Sequence, residues 1–472
     1  NMARTILRTL LLFCMLFLLC VPSRAQIISD KIDSLISSSP FLKTSEVGVL
    51  VYDLTSKKEL YRYQAEKLYR PASVEKVITS VTALSVLGKD YQIKTGLSYS
   101  GYIEGDTLYG NIYVKGDFDP EFMPEDLESM VEAVSSMGIR SVKGRLIGDV
   151  SMMDSVYWGP GWAWDDTPDS FQPYLSPLML NRGCINISIS PSSGSGKANV
   201  EIEPKSDFYT VDNNTSSSGV NVRATRNWLY NDNTISISGC ARHKSSTTMN
   251  VFDSKGFFMN TLRYQLQEKG ILIPKDSVAY GNMAEETKGI ITIYRDIDEV
   301  LKRALKESDN LSAESLFFHA TREISGGKRY LSHKDGQKAI YKFMKSDIGF
   351  DERKYRIVDG CGVSDYNYVS PELIMGYLKY AFSSPLIFHP FYDSLPIAGI
   401  DGTLQYRMGK GKCFRNVRAK TGTLTGVCSL AGYVTSPSKH TIAFVIINQN
   451  VLKYVSARKF QDEICNILAS YN

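Results

Sequence analysis

Strand-like sequence lies at both ends of this chain, and that arrangement constrains the fold more than any other feature. Glu46–Asp53 is β-rich, Thr55-Ser56-Lys57-Lys58 turns, and Leu60–Tyr63 reads as the returning strand of a hairpin. Three further strand-like runs, 416–423, 428–435 and 441–448, come together near the other end. Helical spacing appears at Ile27–Ile36, Ile297–Leu305 and Ala313–Ile324, and Phe460, Ile464, Ile467 and Leu468 share one face of a final helix. Strands from both termini that meet in one sheet make a single α/β domain, and the sequence between them becomes an insertion. From about Tyr91 to Lys275 the texture suits an insertion: short β-like runs (108–114, 145–150, 185–189, 200–203, 234–238) broken by Gly, Asn, Asp and Ser, with a helix predicted over 256–269. A length of 472 residues fits plural domains.

The first residues read as a leader. Arg4 and Arg8 precede the apolar run Leu10–Val21, and Pro22-Ser23-Arg24-Ala25 follows, which predicts a signal peptide over 1–25. A membrane span needs roughly 20 apolar residues, and bulky Leu19 before Cys20 argues against a lipoprotein signal. The expected destination is across the inner membrane, in the periplasm or on the outer cell-wall face, with membrane association left open. Cleavage would remove three arginines and no acid, leaving 51 of the 54 basic residues against 50 acidic ones. So even a balance gives no support to nucleic acid as partner. The five histidines show no ligand spacing, so no metal and no cofactor are expected.

Catalytic chemistry is suggested by Ser73-Val74-Glu75-Lys76, which opens a run with buried-helix spacing (Val74, Val77, Ile78, Val81, Leu84) that Gly88 stops. A serine hydroxyl needs a base within hydrogen-bond reach, and residues three apart on a helix share a face. The pattern alone is weak: Ser-x-x-Lys recurs at Ser325–Lys328, Ser436–Lys439 and Ser456–Lys459. Company distinguishes the first. Ser308-Asp309-Asn310 lies between two helical segments, and Lys420-Thr421-Gly422-Thr423 lies on a late strand, completing in order the three elements of the serine β-lactamase and penicillin-binding fold.

With these elements the chain resembles the D-alanyl-D-alanine carboxypeptidases and endopeptidases of the penicillin-binding protein 4 type. Pro160-Gly161-Trp162-Ala163-Trp164-Asp165-Asp166, Gly144–Asp149, Asp359-Gly360-Cys361-Gly362 and Leu395–Leu404 resemble stretches of that family too. Cys361 stands where a small residue such as Ser is usual. The resemblance implies a β-lactamase/transpeptidase-like α+β domain, an antiparallel five-stranded sheet flanked by helices, formed by 26–90 and 290–472. Residues 91–289 would be the inserted β-rich region, read as two small domains. It also implies the site. Ser73 is the acylated nucleophile and Lys76 its base, which must be neutral part of the time; burial and nearby Lys420 both favour that. Ser308 relays a proton to the leaving amine and Asn310 orients the Lys76 amine or the substrate amide. Lys420, Thr421 and Thr423 bind the terminal carboxylate, Gly422 leaves room for the bound peptide, and the backbone amides of Ser73 and Thr423 form the oxyanion hole. Trp162 and Trp164 are read as core of the inserted region in preference to a glycan platform. Asp401 and Thr403 either brace the pocket or form a turn. Cys184 and Cys240 resemble cysteines of some relatives and are the expected disulfide.

The implied partners are peptidoglycan stem peptides and, as covalent inhibitors, β-lactams; the implied activity is hydrolysis of the D-Ala-D-Ala bond and of D-Ala-diamino acid cross-links. Two other readings stand beside it. A β-lactamase would need a second base such as the Glu of a Glu-x-x-x-Asn stretch, which does not occur between Asn310 and Lys420. A non-catalytic penicillin-binding sensor would be expected to lack one of the motif residues.

Overall fold

The computed structural model describes residues 24–194 and 196–471, so nearly all of the expected leader lies outside the described residues. Two compact units divide the chain. Of the described residues, the first takes 24–77, Tyr368–Ser384 and 395–471. Its five strands run Arg418–Leu424, Gly426–Thr435, Thr441–Val451, Glu46–Asp53 and Lys58–Tyr63 in that spatial order, every neighbour antiparallel. The two terminal segments therefore do share a sheet. Alternation sets its faces: Val47, Val49 and Val51 join Phe444 and Ile446 in a core closed by the helices Arg24–Ser38 and Tyr454–Ala469. Ile28, Ile32, Phe460, Ile464 and Leu468 supply the helical side of that core. Fully burying each such side chain is worth roughly 1.5–3 kcal/mol, enough to hold the sheet shut from one side. The helix Pro371–Phe382 packs on the opposite face, where Tyr433 donates its hydroxyl to the Leu378 carbonyl at 2.8 Å.

The second unit takes Ile78–Asn367 and Pro385–Ser394. Its five-stranded sheet runs Val278–Tyr280, Leu146–Asp149, Ile112–Lys115, Gln92–Tyr99 and Lys288–Asp296. Smaller three-stranded sheets include Asn199–Glu203, Cys184–Ser190 and Ser245–Asn250. Ile185, Ile187 and Ile189 are buried while Asn186 and Ser188 face outward, the period-two pattern of a half-buried strand. These sheets draw on one continuous core. The helix Pro124–Ser135 went unrecognised in a segment read as strands, although Leu127, Met130, Val131 and Val134 follow helical spacing behind Pro124.

Packing cuts the chain elsewhere than the expected 26–90, 91–289 and 290–472. The helix Asn310–Ile324 shows why: Ser315 Oγ donates to the Phe118 carbonyl at 2.7 Å, and Arg322 pairs with Asp117 at 2.6 Å. Those bonds tie the helix to the inserted sequence. The Cys184–Cys240 disulfide is corrected by the structure, in which both thiols are buried and free. Cys184 opens one sheet's central strand with its Sγ 3.4 Å from the Arg182 carbonyl, whereas Cys240 follows the strand Thr234–Gly239 of another sheet.

His319 makes the second unit sensitive to acid. Its Nε2 lies 2.8 Å from the Asp117 carbonyl, which assigns the proton to that nitrogen, and Nδ1 accepts from the Tyr91 hydroxyl at 2.8 Å. Burial pushes its protonation down to about 4. An unfolded chain takes up the proton near 6.5 while the folded one refuses it. Stability is therefore untouched above 6.5 and lost as pH falls towards 4, by roughly 3 kcal/mol. Urea unfolding of the wild type at pH 7 and pH 4 is expected to show this loss. His319→Gln, which keeps both hydrogen-bonding roles and cannot titrate, should lack that component; an equal acid loss in the variant would assign it to other groups.

Candidate active site

Ser73 sits in a 3₁₀ turn, Ala72–Glu75, one step before the α-helix Lys76–Leu87 that the spacing had placed it in. Ala72 enters the turn at φ +50°, a left-handed conformation that costs a non-glycine residue energy and is held by its surroundings. Two groups do the holding. Ser429 donates its hydroxyl to the Pro71 carbonyl at 2.7 Å, and Gln449 brackets Arg70, accepting from its amide and donating to its carbonyl at 2.9 Å. In this turn Lys76 Nζ lies 2.8 Å from Ser73 Oγ. Lys76 is fully buried and Ser73 half-buried.

The other Ser-x-x-Lys sequences form no such pair. Ser325 bonds the Arg322 carbonyl while Lys328 pairs with Asp335; Ser436 bonds Ser438; Lys459 points to solvent from the last helix.

The strand Arg418–Leu424 is the edge of its sheet. Its outer side is partly covered where the Ala419 amide donates to the Pro396 carbonyl at 3.1 Å. Strand alternation turns the amides of Thr421 and Thr423 to that same outer side, beyond the cover. Lys420 and Gly422 share one face of the strand. A Cβ at Gly422 would lie 2.9 Å from the Ser73 amide nitrogen, 3.0 Å from the Pro71 carbonyl and 2.2 Å from Ser429 Oγ. The missing side chain thus makes room for the turn that carries Ser73, where the sequence reading had it making room for a bound peptide. Lys420 is fully buried and donates to the Thr421 carbonyl at 2.8 Å. Burial, reinforced by the neighbouring Lys76 charge, holds its ammonium well below the ordinary lysine range. Thr421 Oγ1 reaches Thr403 Oγ1 at 2.7 Å, and Asp401 closes a turn by accepting from the Ile397 amide at 2.8 Å. Thr423 is exposed.

Ser73, Lys76 and the Lys420–Thr423 strand therefore converge within the first unit; Ser308 and Asn310 belong to the second. Ser308 has φ +60° between two helices, and Asp309 caps the second of them by accepting from the Ser312 amide at 2.8 Å. The Asn310 amide donates to the Phe171 carbonyl and to Gln172 Oε1, each at 3.0 Å. Gln172, Ser429 and Gln449 escaped the sequence reading because each acts on a residue far away in the chain and no local pattern marks it. Trp162 is buried and donates to Asp359 at 2.8 Å, in keeping with a core role, whereas Trp164 is 70% exposed against Trp228. Cys361, Asp359 and Glu314 cluster closely enough to suggest metal ligation. Their carboxylates are instead engaged by donors: Glu314 accepts the amides of Gly360 and Cys361, and Asp359 those of Gly362 and Ser364.

A buried lysine against a half-buried serine, beside an edge strand with outward amides, on a five-stranded sheet flanked by helices, defines a serine acyl-transfer hydrolase of the β-lactamase/transpeptidase fold. The chain belongs to the D-Ala-D-Ala carboxypeptidase 3 (S13) family, whose pattern matches residues 28–471. It is 26% identical over 421 residues to the D-alanyl-D-alanine carboxypeptidase DacB of Haemophilus influenzae, covering 85% of each chain. It is 27% identical over 461 residues to the D-alanyl-D-alanine carboxypeptidase of Actinomadura sp., covering 94% of this chain and 84% of that one. In fold it is similar to penicillin binding protein 4 of Haemophilus influenzae, with a TM-score of 0.81 at 24% identity over 93% of this chain and 99% of that one. The same protein complexed with a β-lactam gives 0.75 at 23% over the same shares.

Proposed function

We propose that this chain hydrolyses the D-Ala-D-Ala bond of peptidoglycan stem peptides, and D-Ala-diamino acid cross-links, through an acyl-enzyme on Ser73. The observation that carries the reading is the 2.8 Å approach of Lys76 Nζ to Ser73 Oγ. Lys76 takes the hydroxyl proton as Ser73 Oγ attacks the carbonyl carbon. The negative oxygen that forms is met by the backbone amides of Ser73 and Thr423, the second of which strand alternation turns outward. The C–N bond then breaks, the leaving amine takes a proton, and water releases the acyl group. An extended peptide adds to the open edge at Lys420–Thr423 as a further strand. Its terminal carboxylate meets the hydroxyls of Thr421 and Thr423, and its negative charge favours the charged form of Lys420. The roles of Ser308, as relay to the leaving amine, and of Asn310, in orienting the Lys76 amine or the substrate amide, rest on the family resemblance.

Covalent inhibition by β-lactams follows from the same serine and is supported by the relative's β-lactam complex. Export across the inner membrane is supported by Arg4, Arg8 and the apolar run Leu10–Val21. Digestion of purified peptidoglycan, with products identified by mass, tests the substrate. Both free D-Ala and monomers from cross-linked dimers are expected. D-Ala release with dimers left intact would remove the endopeptidase half.

A further inference from the structure

We infer that the second unit carries a glycan-binding pocket for the N-acetylated sugar strand of peptidoglycan, built from Tyr157, Phe252, Tyr330, Asp154, Asp253 and Lys255. These residues line a cavity of about 410 Å³, a size usual for small-molecule sites. Val150, Met153, Leu175 and Pro177 supply aliphatic wall, and the aromatic rings beside them are held in place. Tyr157 stands edge-on to Phe252 at 5.4 Å and leans on Tyr174 at 5.6 Å; Tyr330 is anchored by its hydroxyl to Asn282 Oδ1 at 2.8 Å. Yet Tyr157 is 42% exposed and Tyr330 54%. Rings that are fixed and still open to solvent offer flat apolar faces for the C–H side of a pyranose.

The lining also carries Ser155, Ser176 and Ser254 and three charged side chains, Asp154, Asp253 and Lys255. Asp154 gives one carboxylate oxygen to the Val156 amide at 3.0 Å, and Asp253 gives one to the Gly256 amide at 3.1 Å. Each has its other oxygen to accept from a sugar hydroxyl. Two carboxylates against the single ammonium of Lys255, itself 4.8 Å from the Tyr280 ring, disfavour an anion. A neutral, hydroxyl-rich ligand with apolar faces suits the lining. Asp253 and Tyr330 both hold left-handed backbone, φ +63° and +55°, the kind of strain found where side chains clamp a ligand. The inference rests on peptidoglycan as the substrate, since the peptidase chemistry engages only the peptide and leaves the sugar polymer to be held elsewhere.

The test titrates the full chain with the tetramer of N-acetylglucosamine by calorimetry, with the de-acetylated, cationic tetramer as comparator. Saturable binding of the acetylated tetramer is expected, weakened about tenfold by Tyr157→Ala and by Tyr330→Ala and retained in Tyr330→Phe. Hydrolysis of a soluble D-Ala-D-Ala peptide should be unchanged in all three, while D-Ala release from intact sacculi falls severalfold in the two alanine variants. Because Tyr157 packs on Phe252, Tyr330→Ala decides the matter if Tyr157→Ala fails to fold. No saturable binding, undiminished binding by both alanine variants, or tighter binding of the cationic tetramer would overturn the inference. Tetramer binding by a chain that leaves the soluble peptide intact would instead sink the peptidase reading and keep the pocket.

Discussion

Ser73→Ala is expected to lower kcat/KM on a D-Ala-D-Ala peptide by about 10⁴-fold or more, a loss of roughly 5.5 kcal/mol of transition-state stabilisation. It should also abolish labelling by a fluorescent penicillin. Without Oγ no acyl bond can form, and the amides of the proposed oxyanion hole can only polarise the carbonyl for attack by water. Lys76→Ala should lose the label as well, because the hydroxyl then has no amine at 2.8 Å to take its proton. The two effects should not add: a nucleophile and its base act as a unit, so the double variant falls little below Ser73→Ala. Circular dichroism and the thermal midpoint check that the fold survives. Substantial labelling of Ser73→Ala would place the acylated residue elsewhere, and normal labelling of Lys76→Ala would remove Lys76 as the base.

Gly422→Ala is expected to cost about 10²-fold in acylation rate while leaving the protein folded. The added Cβ would meet Ser429 Oγ at 2.2 Å, the Ser73 amide at 2.9 Å and the Pro71 carbonyl at 3.0 Å. Ser429 can rotate away, but its hydroxyl then releases the Pro71 carbonyl. The backbone contacts can be relieved only if the strand and the turn move apart by a few tenths of an ångström or more. A displacement approaching 1 Å between nucleophile and oxyanion donors costs about two orders of magnitude in rate. Overpacking of this kind costs roughly 1–3 kcal/mol of stability. Adding Ser429→Gly should recover stability and little of the rate, because the clash with the Ser73 amide persists. Full recovery of the acylation rate would show that Ser429 alone transmits the damage. The readout is the rate of penicillin labelling, followed by mass.

The strands of the first unit were legible because a pleat repeats every two residues, and Val47, Val49 and Val51 carry that period in plain view. The helix Pro124–Ser135 was equally legible and was masked by short strands around it. The turn residues that hold Ser73 were not. Ser429 lies beneath Gly422 through strand register, and Gln449 reaches Arg70 across the sheet. Neither contact leaves a periodic trace in either stretch.

By itself the sequence determined the sheet that both termini build, the helical run behind Ser73, and the three motifs in their order. All of these are written in residues close together in the chain or in fixed tripeptides. The tertiary structure added the 2.8 Å approach within the Ser73–Lys76 pair that the accompanying motifs single out, and it alone decided what the absent side chain at Gly422 accommodates. It also decided that Cys184 and Cys240 remain free thiols. Spacing along the chain says which groups can share a face; the distance between faces depends on how separate elements pack, and that is where Ser429 and Gln449 came to hold the turn that carries Ser73.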